Sequence, residues 1–197
     1  MTDGRDLDAF RGRALAALAA LATELQQAAG IEAALNQITG TAFALLGDRE
    51  AHLRPGALKP GERQFFVAGV FLVRPGEDGH ILVAEHGFPA EQHRLRIPID
   101  LGHPGQVWHE QRPLLLANTD EHTGFQQILK TARMGSSLYA PVFGRRRMVG
   151  QIIAAAQARN TMAEADLEVL TILAGIAGLA FAAGGGEAWL RALSEAA

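Results

Sequence analysis

A chain of 197 residues with 48% hydrophobic and 20% charged residues suits one folded domain and excludes a disordered chain. The net charge of -3 gives no global field for phosphate backbones, and the compact basic run Arg145-Arg146-Arg147 lies between apolar stretches as a hairpin turn, so no nucleic-acid partner is expected. There is no cysteine, which excludes disulfides, thiolate metal sites, thiol nucleophiles and thioether-linked chromophores, and agrees with a cytoplasmic location.

Residues 7–29 combine strong helix formers with Leu15, Leu18, Leu21 and Leu25 on one stripe, which predicts a helix ended by Gly30. Within it ALAALAALA has the look of a signal-peptide core. The acids Asp3, Asp6 and Asp8 cancel the charge of Arg11 and Arg13, so a cytosolic helix is the expectation. Ile31, Leu35, Ile38, Ala42 and Leu45 predict a second helix stopped by Gly47 and Asp48, and residues 49–63 form a loop. QFFVAGVFLVR and HILVAEHGF, joined by PGEDG, predict a β-hairpin.

A short strand follows at 95–99, a brief helix at 104–110, a strand at 113–117 and a short helix at 124–133. SLYAPVF, GRRR and MVGQIIAAAQ predict a second hairpin, and TMAE reads as a capping box opening the last helix. The uncharged run at 169–186 has the length of a membrane span. Its alanines and glycines favour a helix buried between the sheet and a partner helix, and no membrane association is expected. These elements predict an α+β domain with a mainly antiparallel sheet and the terminal helices together on one face.

The order of these elements, with certain local strings, resembles a GAF domain over residues 31–183. The strings are Gly102, Gly105-Gln106-Val107-Trp108, Gln111-Arg112-Pro113, Leu114-Leu115-Leu116, Asn118 and Phe125, followed by Ser136-Ser137-Leu138-Tyr139-Ala140-Pro141-Val142 and Met148-Val149-Gly150-Gln151-Ile152. The closing Phe-x-x-x-Asp pattern of that family survives only partly, as Met162 and Asp166. The resemblance implies a six-stranded antiparallel sheet with the terminal helices on one face and a ligand pocket on the other, walled by residues 102–137. It divides the chain into an N-terminal dimerisation helix (1–29), a ligand-binding domain (30–183) whose last helix (162–183) joins the dimer bundle, and a glycine-rich break with a short C-terminal helix (184–197).

Members of that family that bind bilins covalently or reduce free methionine sulfoxide depend on cysteine, which this chain lacks. The Asn-Lys-x-Phe-Asp-Glu string of its cyclic-nucleotide binders is also missing; Asn118-Thr119-Asp120-Glu121 is a different string.

Small-molecule pockets are mostly apolar with a few polar groups fixing orientation. Phe71, Trp108, Phe125 and Tyr139, with His86, His109, Asn118, Asp120, His122, Ser137 and Gln151, supply that mixture and are the candidate ligand-binding residues. His103 and His109 stand six apart, on opposite sides of a helix, so they do not form a paired metal site; Asp120 and His122 are two apart and would need a third ligand from elsewhere. A haem needs one axial histidine beside an apolar slot, and His86, His103, His109 and His122 are all candidates. Ser136 and Ser137 follow Gly135 at a strand start, where hydroxyls bond local backbone, and no nucleophile turn is visible, so no catalysis is expected.

Leu15, Leu18, Leu21 and Leu25 in front, with Leu170, Leu173, Ile176, Leu179 and Phe181 behind, exceed what one sheet face covers, which predicts a homodimer through the terminal helices. The expectation is a non-catalytic sensory or regulatory domain that binds an unidentified small molecule and signals to a separate protein. The alternatives are a haem sensor using one histidine, or a divergent enzyme related to the sulfoxide reductases with changed or lost chemistry.

Overall fold

Apolar residues at three- and four-residue spacing wind the N-terminal part of the chain into two helices, α1 (Leu7–Glu24) and α2 (Ile31–Leu45). The computed structural model describes residues 5–122 and 133–193. Asp6 caps α1 by accepting from the amides of Asp8 and Ala9 at 3.1 Å. The α-helix is shorter than its composition suggests, because residues 25–27 form a tighter 3-10 turn, with the Ala28 amide bonded to Leu25, before the chain reverses into α2.

The aromatic and branched run after the loop forms β1 (Phe66–Val73), paired with β2 (Gly79–His86) as the first hairpin. β3 (Arg96–Pro98), α3 (Gly102–Glu110) and β4 (Leu114–Leu116) follow, and then β5 (Ser136–Gly144) and β6 (Arg147–Ala156) form the second hairpin. Its tip is Arg145-Arg146, with Arg145 at a φ of 63°. The chain closes with α4 (Glu164–Ala183) and α5 (Gly186–Ala192). Residues 124–132 of the expected short helix lie outside the described residues.

The six strands make one antiparallel sheet in the order β3-β2-β1-β6-β5-β4. Strand alternation gives it two apolar faces. Val70, Leu72, Ile81, Leu138, Val142, Ile152 and Ala154 face the helices α1, α2 and α4, with Phe10, Leu21, Leu35, Leu170, Leu173 and Phe181 completing the main core. On the opposite face Phe71, Leu82, Ile97, Leu116, Tyr139 and Ile153 pack with Val107 of α3.

α4 is the one helix among the described residues long and apolar enough to cross a bilayer, and half of its most apolar stretch is buried within the domain. That burial is the mark of a core helix. It also revises the stripe read as a dimer surface. Leu21, Leu170, Leu173 and Phe181 are consumed by the protomer's own core, because α1 and α4 share that core with α2 and the sheet. The exposed apolar side chains are Leu15 (71%), Leu179 (72%) and Ile172 (49%), with Leu18, Leu25 and Ile176 half-buried beside them.

The start of α4 differs from the expected capping box. Thr161 donates its hydroxyl to the Ala158 carbonyl at 2.7 Å, so it cannot cap, and the helix begins three residues later, at Glu164. Asp166 takes over. Its carboxylate accepts from the amides of Ala163 and Gly47, both at 2.9 Å, and from both Arg5 guanidinium nitrogens at 3.0 and 2.6 Å. One buried side chain thereby ties together the segment before α1, the turn after α2 and the first turn of α4.

Candidate functional site

Strand register decides which candidate residues meet. Phe71 lies opposite Gln151, Tyr139 opposite Ile153 and Leu114, and Ser137 opposite Leu116, so these side chains share the face covered by α3. α3 lies close to that face because Gly105 has no side chain. A Cβ there would stand 2.4 Å from the Asp100 carbonyl carbon and 2.6 Å from its oxygen. Gly105→Ala is expected to lower stability by about 1–3 kcal/mol through this overlap, read as a lower urea midpoint at unchanged slope.

Beneath α3 lies a polar cluster in apolar surroundings. Gln151, fully buried, donates its amide to the Pro104 carbonyl at 3.1 Å and to His80 Nε2 at 3.0 Å. A carbonyl only accepts, so Pro104 fixes the orientation of the Gln151 amide. His80 is thereby held with its proton on Nδ1. Gln151 Oε1 is left pointing elsewhere, buried and without a partner. Burial holds the His80 pKa down to about 4, with the Pro98 carbonyl opposing, and the ring stands edge-on to Trp108 at 5.5 Å. Burial pushes Tyr139 up to about 12, opposed by the neighbouring Ser137 hydroxyl. His103 is lowered by burial and by His122, whose ring lies 5.8 Å away, and it sits 6.4 Å from Tyr139. Near neutral pH, Phe71, Trp108, His80, Ser137, Tyr139 and Gln151 therefore form an uncharged surface that mixes aromatic walls with hydrogen-bonding groups.

Other candidates sit elsewhere. His86 is on the helix-covered face, where its Nδ1 lies 3.2 Å from Thr39 of α2 and its ring 5.9 Å from Phe43. A β-bulge is the cause: Val70 pairs with Ala84 but Phe71 with Leu82, so Val83 is an extra residue that reverses the alternation beyond it. His109 is exposed on α3 and bonded to Asp100 at 2.6 Å. Asn118 caps the turn at 119–121 by accepting from the Asp120 amide at 3.1 Å.

Asp120 belongs to an ion-pair cluster with Lys59 (2.7 Å) and Arg159 (3.1 Å), and Arg159 also pairs with Glu62. The Lys59 ammonium, together with Arg159, holds the Asp120 carboxyl below its ordinary range. That carboxylate joins the loop before β1 to the segment after β6, and its charge is already matched. Phe125 lies outside the described residues.

Ser136, the serine of a possible nucleophile arrangement, donates to the Leu116 carbonyl at 3.3 Å and accepts from the Met162 amide at 3.1 Å. Both bonds are structural. Among the described residues no group of three or more histidine, aspartate or glutamate side chains is placed to hold a metal. His80 was not singled out by sequence reasoning, and His103 was weighed only as a metal or haem ligand. The signal for His80 was a polar residue at the same strand parity as Leu82, on a face otherwise apolar.

Comparison with known proteins agrees with this architecture. The GAF domain of a phosphoenolpyruvate-protein phosphotransferase from Coxiella burnetii is similar with a TM-score of 0.69 at 19% identity, over 90% of this chain and 95% of that one. The corresponding domain from Acinetobacter gives 0.68 at 17% identity, over 88% and 96%. A free methionine-R-sulfoxide reductase from Neisseria meningitidis, in complex with its substrate, gives 0.67 at 19% identity, over 94% and 96%. At such identities the likeness shows the fold alone. No curated protein matches the chain in sequence. The family model for the GAF domain matches residues 61–182, which is more than half of the chain, and the protein belongs to the GAF domain family.

Proposed function

We propose that this GAF domain is a non-catalytic regulatory module that binds an uncharged small molecule against the face beneath α3. The observation that carries the reading is Gln151 Oε1, a fully buried acceptor without a partner among aromatic and apolar walls. A buried acceptor left unpaired costs about 1–3 kcal/mol, and a ligand N–H or O–H would recover it. The chain has no cysteine, so thiol chemistry of the kind associated with the reductases that share this fold is not open to it.

The signal would pass through β6, where Gln151 faces α3 and its neighbour Ile152 faces the helices. Only different affinities for two arrangements can drive such a change. Leu15, Ile172 and Leu179, with Leu18, Leu25 and Ile176, supply the surface for a homodimer that relays it to a separate protein.

A thermal-shift screen of uncharged metabolites tests the binding reading. It expects a compound that stabilises the wild type and leaves Gln151→Leu unmoved; stabilisation that is equal in both, or turnover of a bound compound, would overturn it. Light scattering at micromolar concentration is expected to give the dimer mass, and Leu179→Glu the monomer mass. Monomeric wild-type protein would remove the proposed relay.

A further inference from the structure

A separate groove of about 700 Å³ runs between α1 and α2, on the side of the sheet away from α3. Its walls are small or apolar: Ala17, Ala20 and Leu21 from α1, with Gly40, Ala44 and Leu45 from α2. Two acceptors open into it. Thr39 approaches the carbonyls of Leu35 and Asn36, both at 3.0 Å, and has a single hydroxyl proton to give them. Toward His86 Nδ1, at 3.2 Å, it therefore accepts. The proton of a neutral His86 then sits on Nδ1 and Nε2 presents a lone pair. That nitrogen faces Gly40, where an added Cβ would lie 3.3 Å from it. The second acceptor, Gln37 Oε1, is buried without a partner, and residues 37 and 40 lie on the same face of α2.

We infer that the groove between α1 and α2 is a second binding site, for a small apolar molecule carrying an NH2-type double donor that bonds His86 Nε2 and Gln37 Oε1. The two acceptors set the ligand chemistry, and the alanines with Gly40 set its flat, apolar body. A ligand seated there would contact both N-terminal helices, and so would act on the helix layer from the face opposite to α3.

Titration of 15N-labelled protein with 2-aminoquinoline, and with 2-methylquinoline as an isostere without a donor, tests the site. Shifts are expected at the amides of Gln37, Gly40 and Thr41 and at His86 Nε2, with affinity roughly tenfold lower for 2-methylquinoline. His86→Phe should weaken 2-aminoquinoline by a similar factor. Gly40→Ala covers Nε2 while favouring the helix, so it reports on the site even if His86→Phe unfolds; it should also weaken binding. Equal affinity for the two probes, shifts confined to the α3 face, binding indifferent to both substitutions, or no binding would each overturn the inference. Because the probes are read at α1 and α2, this outcome is independent of whether Gln151 binds a ligand.

Discussion

Asp166→Ala is expected to lower the free energy of unfolding by about 3–5 kcal/mol, the range for breaking a buried charge pair from one side. The carboxylate receives four hydrogen bonds, two from Arg5 and one each from the Gly47 and Ala163 amides. Its removal leaves a largely buried guanidinium without this counter-ion and two amides without acceptors. For a chain of this size the loss corresponds to a fall in melting temperature of roughly 10 °C or more. Arg5→Ala should cost less, about 1–2 kcal/mol, since Asp166 keeps both amides. Urea unfolding of the two variants checks the order. Equal losses would mean that the ion pair, rather than the amide bonds, makes the junction.

Acidification from pH 7 to pH 4 is expected to remove roughly 3 kcal/mol of stability through His80 alone. In the unfolded chain the ring takes up a proton near pH 6.5, whereas burial delays this in the folded protein until about pH 4. Between those values the unfolded state binds more protons, so stability falls as pH drops through the window and levels off below it; above pH 7 the group contributes no pH dependence. His103 is shifted in the same direction and adds to the same window. His80→Gln keeps an acceptor for Gln151 without a titrating ring, and should flatten most of the acid slope in unfolding measured across pH 4–7. An unchanged slope would show that other groups carry it.

Much of the architecture was legible because local signals and tertiary demands agree. Both hairpins, the stop at Gly47, the helix around Val107 and the long final helix fall where period and turn chemistry place them. Disagreements arose where long-range contacts decide. Thr161 resembles a cap until Ser136 and Asp166 are brought beside it by the fold. Leu21 and Leu173 look like an unpartnered stripe, since nothing in a single chain's periodicity says that three helices share one core.

The same limit applies to the site. Phe71, Trp108, Ser137, Tyr139 and Gln151 were found by type and motif position, and the register brings them to one face. His86 was misplaced because one extra residue, Val83, reverses the parity of a strand and leaves no mark in the sequence. Asp120 was read as a ligand-orienting group, but its partners Lys59 and Arg159 lie distant in sequence and claim its charge.

Native mass spectrometry of the protein equilibrated with a small-molecule cell extract tests the central claim most directly. The account predicts one non-covalent adduct of an uncharged compound on the wild type and none on folded Gln151→Leu. An adduct retained unchanged by that variant, or no adduct on either protein, would contradict it.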